Sequence, residues 1–283
     1  MGDAELSSGE DAMKPNDDAY NNRGYIPGGE DYPDRWAEEA RQFREIEAAV
    51  GRARLNTAYG DHAREKFDLF HPAGQAAGLV VFVHGGYWRL FDRPYWSHFA
   101  RGCTARGWAV AMPSYPLCPE VGIDAITRSV RAAVVKAAAM VAGPMALAGH
   151  SAGGHLVARM ACGDVGLPGE VAARIRSIVP ISPVSDLRPL IETTMNEDFR
   201  LTEVMAVAES PALQAKALDV PVSVWVGADE RPVFVDQARW LAEAWGDDLT
   251  VVPGRHHFDV IDALEDAESD LVGAIVGVGR TDA

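Results

Sequence analysis

The stretch that decides the reading is Met145-Ala146-Leu147-Ala148-Gly149-His150-Ser151-Ala152-Gly153, followed by Gly154-His155-Leu156-Val157. A short apolar run ends in Gly-His-Ser-Ala-Gly, and apolar residues then return at helical spacing, with Leu156, Val157 and Met160 on one side. Strand, sharp turn and helix follow one another within some fifteen residues, with a serine at the apex. A G-x-S-x-G turn in that context lifts the serine hydroxyl above the end of a sheet, and its small neighbours keep side chains from colliding with the adjoining strand and helix. The helix N-terminus behind Ser151 favours negative charge developing there. Ser151 is therefore the candidate nucleophile.

Outward from this turn the chain alternates. Apolar runs at Gly78–Val83, Trp108–Met112, Ser177–Ile181, Val220–Val226 and Leu249–Val252 read as buried strands, and Phe67–Phe70 as a shorter one. Helical spacing marks Pro33–Val50, Pro94–Arg106, Ile123–Val141, Ala152–Cys162, Val233–Trp245 and Val260–Val276. Strands buried on both faces and alternating with helices predict an α/β fold, a mostly parallel sheet covered by helices, with functional residues in the turns after the strands. Residues 1–18 are polar and acidic and read as a disordered tail, leaving 19–283 as one domain. The irregular stretch 182–217 is long enough for a lid, and a pair of ordinary crossover helices accounts for it equally well.

A serine hydroxyl attacks a carbonyl only when a base takes its proton and an acid orients that base. In this arrangement the chain order is serine, acid, histidine. Only His256 and His257 lie beyond the last strand, and His257 is the favoured base. After Val226 comes Gly227-Ala228-Asp229-Glu230, where two carboxylates compete. The G-x-x-D spacing selects Glu230, and Asp229 has the commoner residue type at the less common position. The intermediate's oxyanion needs backbone donors. Ala152 follows the nucleophile, and His84-Gly85-Gly86-Tyr87-Trp88 follows the strand at Val80, so the N–H groups of Gly86, Tyr87 and Ala152 form the expected oxyanion hole. Such chemistry needs no cofactor and no metal, and the spacing of His150 and His155 is not that of a helical zinc pair.

The His84–Trp88 loop, the Gly149–Gly153 turn and the segment His257-Phe258-Asp259-Val260-Ile261 together resemble the kynurenine formamidase (arylformamidase) family of the α/β-hydrolase superfamily, which is related to the hormone-sensitive-lipase-like esterases. Further likeness lies in Pro113–Glu120, Ser185–Leu190 and Pro232–Gln237. The similarity runs from about Tyr59 to Leu271. The resemblance implies the α/β-hydrolase fold, a triad on Ser151, Glu230 and His257, and hydrolysis of N-formylkynurenine. Many relatives carry aspartate at the acid position, so Glu230 is a departure. A formyl group needs little acyl space, which Tyr87 in place of a third glycine would narrow. Tyr87, Trp88, Phe91, Tyr95 and Trp96 are candidates to pack on an aryl ring, with Tyr87 and Trp88 the expected substrate contacts. Two other readings use the same residues differently: a broad short-chain carboxylesterase or thioesterase, and a hydrolase-fold protein that binds without catalysis.

Bulk composition narrows the partners. A net charge of -15 disfavours nucleic acid, which needs excess Lys and Arg, and disfavours anionic membranes. The first twenty residues lack the basic start and apolar run of a secretory signal, and no apolar run is long enough for a bilayer. The three cysteines are scattered and odd in number, which suggests neither disulfides nor a zinc site. The expectation is a soluble, cytoplasmic enzyme acting on a small molecule, with a homodimer as the candidate assembly.

Overall fold

The computed structural model describes residues 13–277. Eight strands form one sheet: β1 Ala53–Ala58, β2 Lys66–Phe70, β3 Leu79–Val83, β4 Ala109–Pro113, β5 Met145–His150, β6 Ile175–Ile181, β7 Ser223–Gly227 and β8 Asp248–Val252. Their spatial order is β1-β2-β4-β3-β5-β6-β7-β8. β2 pairs antiparallel with β1 and with β4, and every pairing from β4 through β8 is parallel. The parallel strands therefore end on one edge, and the turns that follow them converge there.

Successive side chains of these apolar runs go to opposite faces, as the two-residue period of a strand requires. Leu79, Val81 and Val83 of β3 join Met145 and Leu147 of β5 in one core layer. Val80 and Phe82 join Ala146 and Ala148 in the other. Five helices cover the two layers: α1 Tyr32–Ala49, α2 Ile123–Ala138, α3 Ala152–Arg159, α4 Pro232–Trp245 and α5 Asp270–Val276. α2, α3 and α4 pack on the first layer through residues such as Val130, Leu156 and Phe234. α1 and α5 pack on the second through Trp36, Phe43, Val272 and Ile275.

Several boundaries differ from those the periodicity predicts. Strand β1 has no counterpart in the sequence reading; it is an edge strand whose residues alternate between half-buried and exposed, so Arg54, Asn56 and their neighbours carry no apolar run. Pro94–Arg106 is not one helix but two 3-10 turns, Arg93–Tyr95 and Ser97–Ala100, and the short helix Arg101–Ala105. Val260–Val276 likewise divides into a 3-10 turn at Asp262–Glu265 and α5, which Ser269 caps through the Val272 N–H. The stretch 182–217 contains short helices at Asn196–Phe199 and Glu203–Glu209 between 3-10 turns.

Of the tail expected to be disordered, residues 1–12 lie outside the described residues. Residues 13–18 correct that expectation, because they form turns fastened to the 182–217 stretch. Asn16 N–H donates to Glu192 O and its Nδ2 to Pro189 O, and Asp17 Oδ1 accepts from the Thr194 N–H. No helix among the described residues is long and apolar enough to cross a membrane.

Candidate active site

Ser151 sits between β5 and α3 with φ 56 and ψ -117, a conformation that a residue with a Cβ adopts at a cost of about 1–3 kcal/mol. The surroundings hold it there. Its N–H donates to Ile181 O at 2.8 Å, and its carbonyl accepts the His155 N–H at 3.0 Å. The flanking glycines are required by close approach. A Cβ on Gly153 would meet Val83 O at 1.9 Å, and one on Gly149 would meet Gly153 O at 2.3 Å. α3 thus lies directly against the ends of β3 and β5, with the serine at the turn.

His257, in the loop after β8, lines the same cavity as Ser151. Its Nδ1–H donates to Glu230 Oε2 at 2.6 Å. The other carboxylate oxygen accepts from Ser182 Oγ at 2.5 Å and from the Gly227 N–H at 2.8 Å. Both His257 and Glu230 are almost fully buried, at 3% and 4% exposure. Asp229, its competitor by position, is exposed and reaches the loop only through its backbone N–H, to Arg255 O. His256 points elsewhere: its Nε2 meets Tyr32 OH at 3.1 Å and its Nδ1 faces the Phe258 and Asp259 N–H groups. With Nδ1–H committed to Glu230, His257 carries its free lone pair on Nε2. Ser151 Oγ and His257 Nε2 are not hydrogen-bonded to each other here, a bond that commonly tightens only when substrate binds.

The loop after β3 reaches the serine from the other side. A Cβ on Gly85 would lie 3.1 Å from Ser151 Cβ, which brings this backbone against the turn. Gly86 has φ +114, and a Cβ there would stand 2.4 Å from Leu90 O, so glycine is required. Among the described residues the N–H groups of Gly86, Tyr87 and Ala152 donate to no protein acceptor, while Gly86 O closes the turn by accepting from Arg89 and Leu90. Tyr87, at φ 50, fixes its ring by donating its hydroxyl to Tyr20 O at 2.6 Å. Burial raises its hydroxyl pKa well above the ordinary value.

Trp88 corrects the expectation that it contacts substrate. The next positive φ, 55, turns it inward, where it is fully buried against His155 and Phe199 and lies outside the cavity wall. Tyr95 also stays off the wall.

The cavity above Ser151 measures about 450 Å³. Tyr87, Phe91 and Trp96 line it, and half of its aromatic wall comes from elsewhere: Tyr20, Trp36 and Phe258. The start of the described chain, from Met13 to Arg23, and Thr194–Met195 close the remaining side. Phe258 directly follows the predicted base, but no local pattern could reveal the others, because they arrive from distant segments. Ser182 was equally hidden; a serine after an apolar strand carries no signal of its own.

A second histidine supports the first. His150 Nε2–H donates to His257 O at 2.8 Å, and the two rings stand 4.7 Å apart. Burial, then the neighbouring His257, holds the His150 pKa well below the usual value, so the ring is neutral. Away from the cavity, Glu39, His98 and Glu265 bring potential ligand atoms within 4.8 Å of one another. Arg101 is paired with Glu265 there and supplies the counter-charge that a cation would otherwise bring.

The fold and this geometry agree with what comparison shows: the chain belongs to the α/β-hydrolase fold family, whose model matches residues 80–251, and it is a hydrolase. Among curated proteins it is similar to the kynurenine formamidases of Salmo salar (29% identical) and Danio rerio (26%), in each case over 77% of this chain and 79% of the relative. The kynurenine formamidase of Drosophila melanogaster is 27% identical over 81% and 82%. Among solved structures, a Silicibacter sp. TM1040 protein provisionally named a thioesterase is 56% identical, with a TM-score of 0.91 over 93% of this chain and 99% of that one. Esterase B of Lactobacillus rhamnosis, at 18% identity over 87% and 92% with a TM-score of 0.64, shares the fold.

Proposed function

We propose that the protein is a serine hydrolase that cleaves aryl formamides, converting N-formylkynurenine to kynurenine and formate. The observation that carries the reading is the chain of contacts from Glu230 Oε2 to His257 Nδ1 beside Ser151, facing three unengaged backbone N–H groups. In the first step Ser151 Oγ attacks the formyl carbon while His257 Nε2 takes the hydroxyl proton. Glu230 holds the imidazole in the tautomer that leaves Nε2 free and stabilises the imidazolium. The carbonyl oxygen becomes an oxyanion on the N–H groups of Gly86, Tyr87 and Ala152, which no protein acceptor among the described residues occupies. Collapse breaks the C–N bond as His257 returns the proton to the arylamine nitrogen. Water, deprotonated by the same histidine, then releases formate and regenerates Ser151.

Two further observations support the formamide substrate. Three curated relatives are kynurenine formamidases. The cavity wall is rich in aromatic rings, with Trp36, Phe91, Trp96 and Phe258 available to a planar aryl group.

A second reading, a short-chain esterase or thioesterase on the same residues, is favoured by the provisional thioesterase name of the 56% identical structure. Initial rates on N-formylkynurenine and on a short-chain nitrophenyl ester, for wild type and Ser151→Ala, separate the two. Formamide cleavage lost in the variant supports the first reading. Ester cleavage alone, also lost, moves the function to the second. Turnover that survives in Ser151→Ala overturns both.

A further inference from the structure

We propose that Asn22 is a specificity-determining residue of this site, its carboxamide binding a polar arm of the substrate that offers both an acceptor and an N–H donor. The inference rests on reading the cavity as the active site and deepens it.

Asn22 lines the cavity and is 4% exposed. Both of its side-chain polar atoms, Oδ1 and Nδ2, are buried without a hydrogen-bond partner among the described residues. A buried carboxamide with neither its donors nor its acceptor used is rare, because each group has given up water for nothing. Three of its polar neighbours on the wall are committed. Asp17 accepts from Thr194 and Lys14, Asp18 pairs with Arg231, and Asn21 accepts from the Gly24 N–H. Nor does Asn22 drift. The preceding Tyr20 receives a hydrogen bond from Gln237 at its hydroxyl and from Tyr87 at its carbonyl, so the segment is fastened on both sides.

A ligand that satisfies Asn22 brings an acceptor for Nδ2–H and a donor for Oδ1. The amino-acid side arm of N-formylkynurenine carries both, as a ketone and an α-ammonium. Formanilide has the same scissile bond and lacks the arm.

The test compares kcat/KM on N-formylkynurenine with kcat/KM on formanilide for wild type, Asn22→Leu and Asn22→Asp. The ratio is expected to fall by tenfold or more in Asn22→Leu, mostly through KM, because two hydrogen bonds are lost and one alone is worth about tenfold. Asn22→Asp loses the donor to the ketone but adds a charge that attracts the α-ammonium, so its ratio should fall less than that of Asn22→Leu. Tm should stay level or rise in Asn22→Leu, since no protein hydrogen bond is removed. An unchanged ratio, a wild type that does not prefer the substrate with the arm, or equal losses on both substrates with a lower Tm would each overturn the role. Failure of the hydrolase reading would appear separately, as formanilide turnover surviving in Ser151→Ala.

Discussion

Ser182 Oγ donates to Glu230 Oε1 at 2.5 Å, although the two residues are 48 positions apart and belong to the ends of different strands. Together with the Gly227 N–H this bond occupies one oxygen of the carboxylate and turns the other toward His257.

Glu230→Gln should therefore leave the bonds from Ser182 and Gly227 in place while presenting an amide N–H2 to His257 Nδ1. The imidazole would then carry its proton on Nε2 and could not accept one from Ser151. A fall in kcat of about 10³–10⁴ is expected, whereas Asp229→Asn should stay within about twofold of wild type. Steady-state rates on the preferred substrate decide it, and equal effects at the two positions would refute the assignment.

Gly86→Ala introduces a Cβ 2.4 Å from Leu90 O at a φ that L residues rarely adopt. Relief of that clash must move the Tyr87 N–H. The expected outcome is a kcat loss of about 10²–10³, the usual cost of one oxyanion donor. Measured binding of a transition-state-like phosphonate should weaken in parallel.

His150→Phe removes the donor to the His257 carbonyl while keeping a ring of similar breadth. Because His150 lines the cavity but is bonded to the base, its effect is expected to pass through His257, and the variant should lower kcat by about tenfold with little change in KM. A pure rise in KM would show that the ring contacts substrate instead.

Trp88 and Phe91 are close in sequence and should behave differently. Trp88→Ala empties a fully buried site and is expected to destabilise the fold by about 3–5 kcal/mol. Phe91→Ala opens the cavity wall and should raise KM for aryl substrates. Urea unfolding and Michaelis kinetics on both variants check the contrast.

Acid should weaken the fold before most carboxylates titrate. Burial lowers His84 to about 4 and His98 and His155 to about 3, from the 6.5 of an unfolded chain. These rings are neutral when folded, so below about pH 6.5 the unfolded chain binds protons the fold excludes. Their contribution to stability is complete above that pH and is lost as pH falls toward 3–4, by about 1.4 kcal/mol per pH unit for each excluded proton. The urea midpoint should be lower at pH 5.5 than at pH 7.5. A midpoint that is level or higher at pH 5.5 would refute this.

The legible parts of the molecule are those in which function and local geometry share one short segment. Gly149–Gly153 demands a strand before it and a helix after it, and both are visible in the spacing of Leu147, Leu156 and Val157. The alternation of apolar runs with helical stretches, from Leu79 to Val252, set the parallel sheet, and chain order along it narrowed the acid to Asp229 or Glu230 and the base to His256 or His257. Edge strand β1 was invisible because half its residues face solvent, and the break within Pro94–Arg106 because a 3-10 turn keeps nearly helical spacing.

Tertiary structure alone decided the rest. Whether Glu230 or Asp229 meets His257 depends on which side chain the β7 turn directs inward, and adjacent carboxylates look alike in one dimension. Trp88 was assigned to the core by a positive φ that no residue type announces. The cavity wall brings Tyr20, Asn22, Trp36 and Met195 together across more than 170 positions, and a segment that composition marked as tail runs into one side of it. Local sequence determines what a segment can become, because propensity and periodicity act over a few residues. Which distant segments share a cavity is determined by the register and packing of the whole sheet.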